Sequence, residues 1–123
     1  MAMDALVLIL HGNRDPEAAR EAAALVDALG LRVAPVRVGY GFLQFAAPAV
    51  SEAVAALVAA GATRIDFLPL LVLTGNHAAR GYPAVVEAAR RAHPGVTFRA
   101  LPHLSAHPRF PELIATLLGN EAR

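Results

Sequence analysis

The sequence contains no cysteine. That single absence removes disulfides, thiolate metal sites and a cysteine nucleophile, and it makes the cytoplasm the expected compartment. Lysine is missing as well, so all eleven basic residues are arginine. They form no stripe: Arg90-Arg91 is the only adjacent pair and the formal net charge is +1, so no nucleic-acid partner is expected. Long apolar runs are also lacking. The longest, near Phe67–Leu73, is interrupted by Pro69 and falls well short of the roughly 20 residues of a membrane span, so no membrane partner is expected. The opening residues Met1–Leu10 have no basic stretch ahead of their apolar run and lead straight into His11-Gly12, which predicts a first strand rather than a signal peptide. Only 17% of residues are charged against 56% hydrophobic, the reverse of a disordered chain. At 123 residues the expectation is one domain, residues 1–123, with one core.

What is present is an alternation of Val/Ile/Leu-rich runs with alanine-rich helical patterns. Asp4–Leu10 has the length and continuous apolarity of a strand covered on both faces. Asp15-Pro16-Glu17 predicts a helix start, with Asp15 as N-cap and Pro16 in the first turn; Gly30 is the expected stop. Leu31–Val38 is the second strand, placed at a sheet edge by Pro35. After the glycine-aromatic stretch Gly39–Phe45, Pro48 opens a helix that Gly61 ends. Arg64–Leu73 is the third strand, Tyr82 to about His93 the third helix, Val96–Leu101 the last strand, and Pro108 begins a final helix. Four strand–helix units with short connections predict an α/β fold: a single doubly wound, four-stranded parallel sheet, order 2-1-3-4, with helices on both faces.

In such a sheet ligands collect beyond the carboxyl ends of the strands, where the strand order reverses. Here that point lies between strands one and three. The first ends in His11-Gly12-Asn13-Arg14 and the third in Thr74-Gly75-Asn76-His77. Two histidines from neighbouring strands, about 4.8 Å apart across the sheet, can reach one small target. Each stands near a glycine, which would let a substrate approach the backbone. Imidazole suits metal binding, proton transfer and phosphate handling alike, so the residues alone leave the activity open. Arg14 and Arg80 flank the histidines and suit substrate carboxylates. Tyr40, Phe42 and Phe45 are candidates to line a flat apolar pocket. His93 at a helix end is read as structural, while His103 in the loop after strand four and His107 before a proline stand at the same edge of the sheet with their roles left open between loop or helix-entry residue and ligand. A phosphate site after His11-Gly12 is disfavoured, since the segment has neither a P-loop lysine nor a Gly-x-Gly-x-x-Gly pattern.

Taken together, these landmarks resemble the small sirohydrochlorin chelatases, which insert cobalt or iron into a modified tetrapyrrole. The family's His-Gly-Ser-Arg is similar to His11-Gly12-Asn13-Arg14, and its Phe-Leu-Glu to Phe42-Leu43-Gln44 ahead of Pro48. Its proline-containing third strand before Gly-x-His resembles Leu68–Leu73 followed by Gly75-Asn76-His77, and its late Leu-Gly-x-His-Pro resembles Leu104-Ser105-Ala106-His107-Pro108. The resemblance implies a chelatase-like lobe that forms a homodimer. It implies His11 and His77 as the catalytic, metal-contacting pair; Arg14, Phe42, Gln44 and Arg80 are the candidate substrate-binding residues beside them. It also implies Co²⁺ or Fe²⁺ as the substrate metal, a tetrapyrrole as the other substrate and no organic cofactor.

Two positions depart from the family pattern. Gln44 stands where a glutamate is usual, and Gly81-Tyr82-Pro83 where an acid precedes Ile-Pro. An amide is no base near neutral pH. The expected function is therefore metal insertion assisted chiefly by histidine; the alternative is a non-catalytic tetrapyrrole- or metal-binding protein built on the same fold.

Overall fold

The computed structural model describes residues 2–72 and 76–119, with the side chains of 76–80 outside the description. Its elements are β1 (Asp4–Leu10), α1 (Pro16–Val33), β2 (Arg37–Phe42), α2 (Val50–Ala59), β3 (Arg64–Pro69), α3 (Asn76–Ala92), β4 (Thr97–Ala100) and α4 (Phe110–Leu117), with a 3-10 turn at Leu104–Ala106. The four strands form one sheet in the order β2-β1-β3-β4, every neighbouring pair parallel. The predicted topology is the observed one, and β1 and β3 are the central neighbours.

Successive side chains of a strand point to opposite faces, and the burial pattern follows that rule. Ala5, Val7 and Ile9 of β1 join Ile65 and Phe67 of β3, Phe98 of β4, Val50 and Val54 of α2 and Val86 and Ala89 of α3 in the principal core. The rings of Phe67 and Phe98 stack there, centroids 5.6 Å apart and planes 4° from parallel. Leu8 is equally buried but belongs to the opposite face, which α1 covers with Ala22 as its one buried side chain. A doubly wound sheet buries its central strand from both sides, which is why β1 is an unbroken apolar run.

The helix starts obey local chemistry. Asp15 caps α1, its side chain accepting from the Glu17 N–H at 2.9 Å, and Asn13 Oδ1 accepts from the Asp15 N–H at 2.8 Å. Glu52 Oε1 accepts from the Ala49 N–H at 2.8 Å at the start of α2. Element ends differ from the expectation in two places that matter. α1 continues through Gly30 to Val33, so β2 starts at Arg37 and not at Leu31. A helical glycine costs only about 1 kcal/mol, whereas Pro35 disfavours helix at the residue before it. α3 begins at Asn76, ahead of the expected Tyr82, and carries Gly81 and Pro83 inside it. The expected start at Tyr82 already included Pro83; the helix extends six residues further towards the N-terminus, through Gly81.

One ion pair ties down the short edge strand. Arg99 on β4 holds Asp66 on β3 through two bonds, 2.7 and 3.1 Å, from directly paired positions. No helix among the described residues is long and apolar enough to cross a membrane.

Candidate functional site

His11 follows directly on β1, at the carboxyl edge of the sheet, and is exposed. The parallel ladder continues past the strand ends here. The Leu43 N–H donates to the Leu10 carbonyl at 2.8 Å, and the Gln44 N–H to the His11 carbonyl at 3.2 Å. These bonds hold Gln44 beside His11. The amide nitrogen of Gln44 lies 3.4 Å from His11 Nε2, a long contact that sets the amide at the edge of the imidazole.

Gly12 makes this approach possible. Its φ is +129°, and a Cβ built on it would lie 1.8 Å from the Gln44 carbonyl oxygen. The space beside this glycine is thus filled by the protein's own backbone rather than reserved for substrate, a correction to the sequence-based reading. Gly75, the second glycine of that reading, lies outside the described residues.

His11 and Gln44 share a hollow of about 250 Å³ with Leu43 and with Gly81, Ala84 and Val85 of α3. Gly81 therefore belongs to the site, and its missing side chain leaves the hollow without a carboxylate at that position. His77 and Arg80 lie in the opening turns of α3, their side chains outside the described residues. Position 77 precedes Gly81 by one helical turn, on the same face of the helix.

The remaining candidates separate. Phe42 is 3% exposed; its ring packs edge-on to Tyr40 at 5.9 Å and lines a neighbouring apolar hollow of about 420 Å³ between α2 and α3, not the His11 hollow. The two hollows share Leu43 and Val85. Arg14 places its guanidinium carbon 4.6 Å from the centre of the Phe45 ring. His107 accepts the Arg109 N–H at Nδ1 (3.1 Å) ahead of α4. His93 packs near Phe98, and His103 precedes the 3-10 turn. Among the described residues no three His, Asp or Glu side chains converge as a metal cluster.

Comparison with known proteins decides the lineage. The CbiX family model matches residues 5–120. The chain belongs to the CbiX family. It is 32% identical over 94 residues to the sirohydrochlorin ferrochelatase of Priestia megaterium, and 36% identical over 81 residues to the sirohydrochlorin cobaltochelatase of Saccharolobus solfataricus. Those alignments cover 76% and 66% of this chain but only 35% and 62% of the relatives. Among solved structures, a putative cobalamin biosynthesis CbiX protein from Marinobacter aquaeolei shares the fold with a TM-score of 0.79 at 21% identity, covering 97% of both chains. The sirohydrochlorin chelatase SirB of Bacillus subtilis subspecies spizizenii, in complex with cobalt, matches with a TM-score of 0.79 at 26% identity, over 96% of this chain and 50% of its own. In this fold His11, Gln44 and Gly81 line one hollow at the carboxyl edge of the sheet.

Proposed function

We propose that this CbiX-family protein is a chelatase, a lyase in the metal-releasing direction, that inserts Co²⁺ or Fe²⁺ into sirohydrochlorin or a related tetrapyrrole. The observation that carries the reading is the hollow at the switch point, where His11 meets the α3 face bearing Gly81. The named relatives are sirohydrochlorin ferrochelatase and cobaltochelatase, so the metal is a substrate of the proposed reaction. Insertion exchanges one divalent ion for two pyrrole protons. Neutral imidazole serves both halves of that exchange, as a ligand for a borderline metal and as a proton acceptor. His11 and His77 form the proposed pair, with His77 supported by its helical position one turn before Gly81. Arg14 and Arg80 are assigned to substrate carboxylates, Gln44 to orienting His11 at the substrate's edge, and Phe42 to the apolar wall of the adjoining hollow. No organic cofactor takes part in this exchange.

A hollow of about 250 Å³ is smaller than the roughly 300–1,000 Å³ of pockets that enclose drug-sized ligands. One chain accordingly offers one wall, and a second copy supplies the opposite one in a homodimer. The cytoplasm is the assigned compartment, consistent with a cysteine-free chain.

Gln44 favours one alternative, a carrier that binds tetrapyrrole or metal without turnover, because its amide cannot take a proton. Absorbance-monitored insertion of Co²⁺ into sirohydrochlorin separates the two. The chelatase reading expects many turnovers in the wild type, at least a hundredfold loss in His11→Ala and His77→Ala, and a gain in Gln44→Glu. A wild type that binds macrocycle but never exceeds one turnover makes it a carrier; unchanged turnover in both histidine variants removes the assigned mechanism.

A further inference from the structure

The loop that carries Gln44 also holds Phe45 in an arrangement that folding alone does not call for. Phe45 has φ +68°, the left-handed region that costs a residue with a Cβ about 1–2 kcal/mol. Its ring is nevertheless 57% exposed, so core burial does not offset that cost. Both ends of the loop are anchored. On one side the Gln44 N–H bonds to His11 and the Gln44 carbonyl lies against Gly12; on the other, the Phe42 N–H donates to the Pro48 carbonyl at 2.8 Å. The left-handed turn therefore keeps Phe45 next in sequence to the residue that touches His11. Arg14, from the loop after β1, reaches over the ring at 4.6 Å. Among the described residues it makes no side-chain hydrogen bond or ion pair, and no carboxylate of theirs answers its charge.

Strain held in place at an exposed apolar ring is a mark of a working surface. A flat aromatic face with an unanswered cation against it matches one ligand chemistry: a planar conjugated system that bears carboxylates. The ring offers stacking, worth about 1–3 kcal/mol for a planar base on an aromatic side chain. The guanidinium offers charge-assisted hydrogen bonds to the rim. A bare metal ion needs neither.

We propose that Phe45, backed by Arg14, is the platform on which the face of the macrocycle rests beside His11. This rests on the tetrapyrrole reading above.

The test is fluorescence titration of metal-free uroporphyrin III, a planar octacarboxylate, into the full chain, with Co²⁺ titrated separately by calorimetry. Phe45→Asn removes the ring but suits a left-handed backbone. Phe45→Leu keeps an apolar side chain without the ring and serves as the second variant if the first fails to fold. The expected result is a rise in the uroporphyrin Kd of about tenfold in either variant, with Phe45→Tyr close to wild type and Co²⁺ affinity unchanged. A rise below threefold in a folded variant overturns the platform, and so does an equal loss of Co²⁺ affinity, which signals a collapsed site. A wild type that binds no uroporphyrin removes the tetrapyrrole reading and the platform together. A wild type that binds it with the variants unaffected removes only the platform.

Discussion

At the residue scale the site depends on close approach. Gly12 has no room for a methyl group: the Gln44 carbonyl fills the space, and φ +129° is one that L side chains rarely adopt. Gly12→Ala must push the Gln44 segment away from His11 and strain its own backbone. The expected cost is about 2–3 kcal/mol in chemical denaturation, with a tenfold or greater loss of metal insertion; a variant as stable and active as wild type would show that the contact is dispensable. Gly81 is a different case. A Cβ there would meet Leu43 Cδ1 at 3.5 Å, an ordinary contact, so Gly81→Ala is expected to raise the thermal midpoint by a few degrees, the gain of replacing a helical glycine. The hollow tolerates a side chain at that position, and the absence of a carboxylate there is not forced by packing.

At the element scale, α3 is held to the sheet by a polar clasp as well as by its apolar face. The Tyr82 hydroxyl donates to the Leu101 carbonyl at 2.8 Å and lies 3.3 Å from the Phe67 carbonyl, bridging the ends of two strands. Burial pushes its pKa up to about 12. Above about pH 10 an unfolded tyrosine ionises while this one keeps its proton, so the folded state binds more protons and stability falls between about pH 10 and 12. Tyr82→Phe is expected to cost about 1 kcal/mol at neutral pH and to lose this part of the alkaline decline. Urea titrations at pH 8, 10 and 11.5 check both; equal alkaline slopes in the two proteins would contradict the buried, protonated phenol. The same helix shows where a sequence reading is weak. Gly81 and Pro83 have poor intrinsic propensity for a helix interior, yet Val86 and Ala89 of the same helix bury against the sheet and the whole segment is helical. Burial of an apolar face outweighs a local preference of about 1–3 kcal/mol.

For the whole molecule the feature that stands out among the described residues is the exposed apolar side of α4. Leu113, Ile114, Leu117 and Leu118 recur at helical spacing and are all exposed, Leu117 at 77%. The main neighbour of α4 is the 3-10 turn before it. An apolar stripe of this kind is expected to be covered in the working assembly, which supports the proposed homodimer. Light scattering on the wild type should give twice the chain mass, and Leu117→Glu should shift it towards the monomer. A monomeric wild type at tens of micromolar would count against the dimer.

The sequence by itself determined the order of elements, the parallel sheet, the strand order 2-1-3-4 and the placing of His11 at its carboxyl edge. Those follow from local signals: apolar runs of strand length, the Asp15-Pro16 helix start, and the right-handedness of parallel crossovers, which leaves few topologies to choose from. The HisGly and PheLeu motifs also pointed to Gln44 as a site residue. Tertiary structure alone decided what Gly12 is for, that Phe42 packs in the core while Phe45 stays in the open under Arg14, and that Gly81 lies inside a helix facing His11. Each of these depends on contact between segments far apart in sequence, and neither periodicity nor composition carries information about which loop will fill the space beside a given glycine.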